Sequence, residues 1–260
     1  FSLACRPAAL SPELSPDNFI ADVVNVYRRA AREGLPIFVL GHSEGVTYVN
    51  EAAARRAIEP RGLILLAGVG RYGLDETLLR QYDQGLSDID AALADPKTPS
   101  ERRSELEKAK RQTEELRRQG RDYFRRLDAG QVKPDERYLG AYARFWREEI
   151  AMTRSAAAVA AQVSEPALIL RGDRDQNVTH EDWEALKNAM RVAGSDAHEL
   201  PGLDHLFVPE GGTVVDPAVG PMIADWILAR LGVFVPAAPA RIMDDSSALK
   251  TLKTQTGESR

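Results

Sequence analysis

Hydrophobic positions along the chain repeat with two different periods. In residues 16–34, Phe19, Val23, Val26, Tyr27 and Ala30 recur at three- and four-residue steps, the pattern of a helix with one buried stripe. Ser15 before it, Pro16 at its first position, Asp17 at the positive end of the dipole and Gly34 after its last turn mark the ends. Residues 36–40 (P-I-F-V-L) and 62–67 (G-L-I-L-L-A) are instead unbroken apolar runs, too short for buried helices. They read as strands covered on both faces. Residues 46–57 between them have helical composition. Strand, helix, strand at this spacing predicts a βαβ unit, and with it a parallel sheet with right-handed crossovers.

From about residue 72 to 150 the pattern becomes helical throughout. Residues 101–127 carry ten basic and six acidic side chains, while Leu106, Thr113, Leu116, Tyr123, Phe124 and Leu127 mark one narrow apolar stripe. This predicts a long amphipathic helix or helical pair with a solvated back. Tyr142, Phe145 and Trp146 follow in a further helical stretch, and no strand is expected to interrupt the insert. Sheet alternation resumes at residues 167–170 (A-L-I-L), followed by a turn at 172–177. Thr179 with Asp182 forms a capping-box pattern for the next helix. Residues 198–200 read as a weak last strand. Asp216 with Pro217 is expected to open a final helix lined by Ile223, Trp226, Ile227 and Leu231. The predicted fold is α/β, a mainly parallel sheet with a helical cap. Residues 1–71 and 161–232 form its core, 72–160 the cap and 233–260 a polar, flexible tail.

Composition narrows the classes. A chain of 260 residues supports one large core, and a net charge of −5 gives no footprint for nucleic acid. No apolar run is long enough to span a bilayer. The single cysteine, Cys5, excludes an internal disulfide framework and a cysteine zinc cage, and it reads as an inert thiol. Cysteine usage favours a reducing, cytoplasmic setting. No basic and then apolar leader opens the chain, which begins at Phe1 rather than Met.

The strongest chemical signal is G-H-S-E-G at residues 41–45, between a buried strand and a helix. In so tight a turn, side chains flanking the serine would clash. Glycine at positions 41 and 45 is expected to relieve this, leaving Ser43 exposed above the sheet edge. The helix start after it offers amide donors to a developing oxyanion, Glu44 N–H first among them. Serine needs a base, and the base needs an acid. Of the four histidines, His42 lies inside the turn and is expected to pack locally; His180 and His198 fall at a helix start and in a strand. His205, in the loop P-G-L-D-H-L-F after the last strand, lies at the carboxyl edge of the sheet, where a base reaches Ser43. The acid is expected from G-D-R-D after the strand at 167–170, Asp175 ahead of Asp173. Asp204 is too near His205 in sequence for the required geometry. Tyr72, Tyr82, Phe145 and Trp146 flank the insert where it rejoins the sheet. Some of them are expected to line an apolar acyl pocket, the alternative being that they fasten cap to core.

Together, G-H-S-E-G, G-D-R-D and P-G-L-D-H-L-F resemble the α/β-hydrolase superfamily, in which the triad runs Ser, Asp, His along the chain. Three narrower features are similar to bacterial esterase-like members with serine aminopeptidase-type domains. These are A-G-V-G-R at residues 67–71, F-W-R at 145–147 and V-D-P at 215–217. The likeness runs over roughly residues 16–231. It implies Ser43, Asp175 and His205 as the triad of a carboxylic-ester hydrolase acting on a small-molecule ester, with no metal or organic cofactor. A thioesterase or aminopeptidase uses the same triad, and a non-catalytic hydrolase-fold interaction protein is the alternative from another class. The front departs from the family pattern. Only 42 residues precede Ser43, and residues 1–14 show neither a convincing strand nor the Gly-rich loop that supplies a second oxyanion amide. The expectation is a core lacking its N-terminal strands.

Overall fold

The computed structural model describes residues 11–233, so Cys5 and nearly all of the expected tail lie outside the described residues. In chain order, α1 (Pro16–Ala31), β1 (Phe38–His42), α2 (Glu44–Ala54) and β2 (Gly62–Leu66) come first. An inserted helical region follows: α3 (Leu74–Ala94), α4 (Ser100–Asp128), the hairpin of β3 (Arg137–Tyr138) and β4 (Ala141–Tyr142), α5 (Ala143–Arg154) and α6 (Ala156–Ala160). The last part holds β5 (Ala167–Gly172), α7 (His180–Ala189), β6 (Asp196–Leu200) and α8 (Val219–Arg230).

The main sheet has the order β1-β2-β5-β6, with every pair parallel, as the two apolar runs imply. Every residue of β2 and β5 is buried, which explains their unbroken hydrophobicity. Side chains alternate between two faces. Leu63, Leu65, Ala167 and Ile169 pack into the larger core beneath α1, α2 and α7, while Ile64, Leu66, Leu168 and Leu170 meet Val219 and Trp226 of α8 on the other face. Among the described residues β1 is an edge strand with Leu40 50% exposed, so the run at residues 36–40 is not the strand covered on both faces that its hydrophobicity predicts.

Three local expectations need correction. On α1 the buried residues are Pro16, Phe19, Ile20 and Val24, whereas Val26 faces outward at 64% exposure. The stripe is turned because α1 packs against both α2 and α5, and periodicity alone does not say which side each neighbour takes. The insert is not purely helical, since β3 and β4 pair antiparallel around Leu139 and Gly140, both at positive φ. Finally, α8 starts at Val219, because Asp216 Oδ1 accepts from Ala218 N at 2.8 Å and holds residues 216–218 as a turn before the helix.

The capping box at α7 forms as expected, with Asp182 N donating to Thr179 Oγ1 and Thr179 N donating to Asp182 Oδ2. Asp182 does more than cap. Its Oδ1 accepts from the backbone N–H groups of Gly70, Arg71 and Tyr72, so one fully buried carboxylate anchors the loop after β2.

The insert shares its apolar core with the sheet. Tyr123, Phe124, Tyr138, Phe145 and Trp146 belong to the same cluster as Val46, Leu63 and Leu65. None of the helices among the described residues is long and apolar enough to cross a membrane.

Candidate active site

Three loops meet at the carboxyl edge of the sheet. Ser43 follows β1 at φ 54° and ψ −126°, a conformation that non-glycine residues adopt only when their surroundings enforce it. Ser43 N donates to Leu66 O at 2.9 Å, and Val46 N closes onto Ser43 O at 3.0 Å, which fixes the turn from both sides. Positive φ recurs at Ala67 after β2 and at Phe207 near His205, so backbone strain gathers around this edge. The glycines flanking the serine are not equivalent. A Cβ at Gly41 lies 2.7 Å from Gly45 O, whereas one at Gly45 meets nothing within 4 Å. The close approach expected at both positions holds only for Gly41.

Ser43 Oγ stands 3.0 Å from His205 Nε2, and His205 Nδ1 stands 2.9 Å from Asp175 Oδ2. Asp175 is buried. Its other oxygen accepts from Asn177 N at 2.8 Å and Val178 N at 3.0 Å, so the carboxylate cannot swing away from the imidazole. The structure thus brings together Ser43, Asp175 and His205, which the sequence places far apart. Asp173 sits on the same turn but faces outward and accepts from Gly202 N at 2.7 Å. Asp204 turns its carboxylate to Leu206 N and Val208 N, both at 2.9 Å, and so shapes the loop that carries His205. That loop presses against the end of β5: a Cβ on Gly172 falls 2.2 Å from Leu203 O.

Other residues support the arrangement, and of these the sequence singles out only His42, as a residue packing within its own turn. His42 Nε2 lies 2.9 Å from the backbone oxygen of His205, and the two rings are 4.9 Å apart. The partner of His42 is thus the loop that carries His205 rather than its own turn. Arg171, buried in β5, donates to Asp175 O at 2.8 Å and Val178 O at 2.7 Å and ion-pairs with Glu199, bracing the turn that carries Asp175. A basic residue ending the otherwise apolar A-L-I-L-R-G strand was the available signal. Glu149 on α5 is fully buried next to Tyr48 and Glu44, and nothing in its local sequence announced it.

A cavity of about 720 Å³ opens at Ser43. Its walls come from α1, β1 and the start of α2, including Val23, Tyr27, Phe38, Leu40, Glu44 and Tyr48. Burial pushes the Glu44 carboxyl above the usual carboxylate range.

Tyr72, Tyr82, Phe145 and Trp146 are absent from these walls. Phe145 and Trp146 are core residues, with Trp146 edge-on to Phe124 and Phe145, tilted against Tyr138 and donating its indole N–H to Tyr138 O at 2.9 Å. The Tyr82 hydroxyl bonds that of Tyr138, and Tyr72 lies under Arg80. Of the two roles expected for these aromatics, the geometry matches fastening insert to core. Trp146→Ala is therefore expected to cost about 3–5 kcal/mol of stability. It should also lower turnover by the same factor on short and long acyl esters, checked by thermal unfolding beside a chain-length series.

Residues 14–211 match the family described as serine aminopeptidase, S33. Among solved structures, the chain is similar to a monoacylglycerol lipase from Paleococcus ferrophilus. The identity is 17%, covering 84% of this chain and 76% of that one, with a TM-score of 0.51. Est1E from Butyrivibrio proteoclasticus aligns at 15% identity over 86% of this chain and 74% of its own, with a TM-score of 0.48. MenH from S. aureus aligns at 15% over 84% and 76%, with a TM-score of 0.47. None of the curated proteins compared matches the chain. The family match spans more than half of the sequence and agrees with the parallel sheet and its helical insertion, so this chain belongs to the serine aminopeptidase S33 family of α/β-hydrolases.

Proposed function

We infer that the protein is a serine hydrolase that cleaves carboxylic esters through an acyl-enzyme intermediate. The observation that carries this reading is the continuous hydrogen-bonded line from Ser43 Oγ to His205 Nε2 and from His205 Nδ1 to Asp175 Oδ2, at 3.0 and 2.9 Å. Ser43 attacks the ester carbonyl while His205 takes its proton and then returns it to the leaving alcohol. Asp175 keeps the proton of the resting imidazole on Nδ1, so that Nε2 is free to accept. Charge developing on the carbonyl oxygen meets the Glu44 N–H and the positive end of α2. Water then repeats the sequence on the acyl-enzyme. The serine itself argues against haloalkane and epoxide chemistry, which places a carboxylate at that position.

A thioester or an aminoacyl amide is open to the same three side chains, so the discriminating experiment compares leaving groups. Turnover of a short-chain aryl ester is expected to exceed that of the matching thioester and of an aminoacyl arylamide at equal concentration. Preferred cleavage of the arylamide would assign the protein to the peptidases instead.

A further inference from the structure

Behind the serine turn lies a group of ionisable side chains that the acyl-transfer steps leave unused. Tyr48 of α2 places its hydroxyl 2.8 Å from Glu44 Oε1 and 3.1 Å from Glu149 Oε2. A tyrosine hydroxyl has one proton to donate. It satisfies two carboxyl oxygens only when one carboxyl is itself protonated and donates to the hydroxyl oxygen. Glu149 is placed to keep that proton. It is fully buried, its Oε1 has no partner, and no basic side chain among the described residues offsets its charge. Glu44, in the first turn of α2, has the helix's positive end beside it.

The surrounding charges are already engaged. Asp17 of α1 and Glu51 of α2 both pair with Arg55. On α5, Arg144 pairs with Glu148, Arg147 donates to Val132 O, and Arg154 pairs with Asp75 of α3. α6 carries no charge, and Asp22 of α1 stands in the cavity wall with Glu44. The Phe19 ring stacks on Tyr48 at 5.2 Å, shielding it from the α1 side.

We propose that Glu149, Tyr48 and Glu44 form a one-proton relay, in which Glu149 donates to Tyr48 and Tyr48 donates to Glu44. The relay fastens α5 to the start of α2 and keeps a single negative charge behind the oxyanion site. Glu149 touches neither substrate nor reacting atoms, so it is a positioning residue, and its role in turnover rests on the esterase reading above. Loss of the shared proton leaves two carboxylates facing one hydroxyl. That loosens the tie and sets a second negative charge near the forming oxyanion.

Burial, and then the charge of Glu44, push the Glu149 carboxyl up to about 8. Because the folded chain holds this proton more tightly than the unfolded chain does, the stability it contributes is complete at acidic pH. It is lost as pH rises through about 8. The test compares the wild type with Glu149→Gln, which keeps a neutral donor in place, from mildly acidic to alkaline pH. Wild-type kcat on an aryl ester is expected to fall about tenfold as pH rises through about 8, and Tm to fall from mildly acidic pH up to about 8 and then level off. Glu149→Gln should keep neutral-pH turnover within a few-fold and lose both declines. A role confined to packing shifts Tm equally at all pH values and leaves the rate profile unchanged, and superimposable profiles would overturn the proposal. An infrared band from a protonated carboxyl, present in the wild type at neutral pH and titrating away in base, reads the relay without any turnover. That band separates failure of the relay from failure of the esterase reading. It also decides the matter if Glu149→Gln does not fold, because its absence from the wild type ends the proposal.

Discussion

Ser43→Ala is expected to reduce turnover of a short-chain aryl ester on the order of 10⁶-fold and to abolish covalent labelling by a fluorophosphonate. The size follows from what the side chain does. Its oxygen is the atom His205 Nε2 faces at 3.0 Å, and without it no acyl-enzyme forms. Residual rate comes only from water activated in a site whose oxyanion donors remain. The substitution should leave the fold intact. The strained backbone at φ 54° is enforced by the bonds to Leu66 O and from Val46 N, neither of which involves the side chain. Thermal unfolding should therefore match the wild type while intact-mass analysis shows no adduct. An adduct that persists and maps to a different serine would remove Ser43 from the mechanism.

The second large effect separates two aspartates on one turn. Asp175→Asn is expected to lower turnover on the order of 10⁴-fold, and Asp173→Asn by far less. Asn177 N and Val178 N both donate to Asp175 Oδ1. An asparagine keeps its amide oxygen toward those donors, which turns its NH₂ toward His205 Nδ1. The imidazole must then accept at Nδ1 and carry its proton on Nε2, where it can no longer take the serine's proton. Asp173 only accepts from Gly202 N at the surface, and an asparagine oxygen does the same. Steady-state kinetics of the two variants at equal folded concentration settle the order, and the opposite ranking would mean that the acid is Asp173.

The parts of this molecule legible in its sequence are those that local chemistry dictates. The runs at residues 36–40 and 62–67 were readable as strands, and β1, β2 and their parallel register follow, although only β2 is covered on both faces. Gly41 was readable because the turn brings its Cβ position to 2.7 Å from a backbone oxygen only four residues on. The capping box of Thr179 and Asp182 spans three residues and formed as written. Asp175 and His205 were readable as candidates because each lies in a loop directly after a strand, and a parallel sheet delivers all such loops to one edge.

What the sequence left open was set by partners distant along the chain. Val26 looked buried by spacing, yet it faces outward because α5, more than a hundred residues later, helps to decide which side of α1 is covered. The aromatics at the ends of the insert read equally as pocket or as fastening. Only the packing of Trp146 against Phe124 and Tyr138 distinguishes the two. His42 finds its partner 163 residues away, and Asp182 gathers three amides from a loop more than a hundred residues earlier. Glu149 gave no local sign at all, since a glutamate on a helix is ordinarily solvated, and it became notable only when folding buried it against Glu44 and Tyr48. The sequence by itself determined the strands, the turn chemistry and the order of Ser43, Asp175 and His205, because these depend on steric and hydrogen-bonding rules acting over a few residues. Tertiary structure decided the distances among the three, the walls of the cavity and the burial of Glu149 beside Tyr48 and Glu44, because desolvation and contact depend on which surfaces meet.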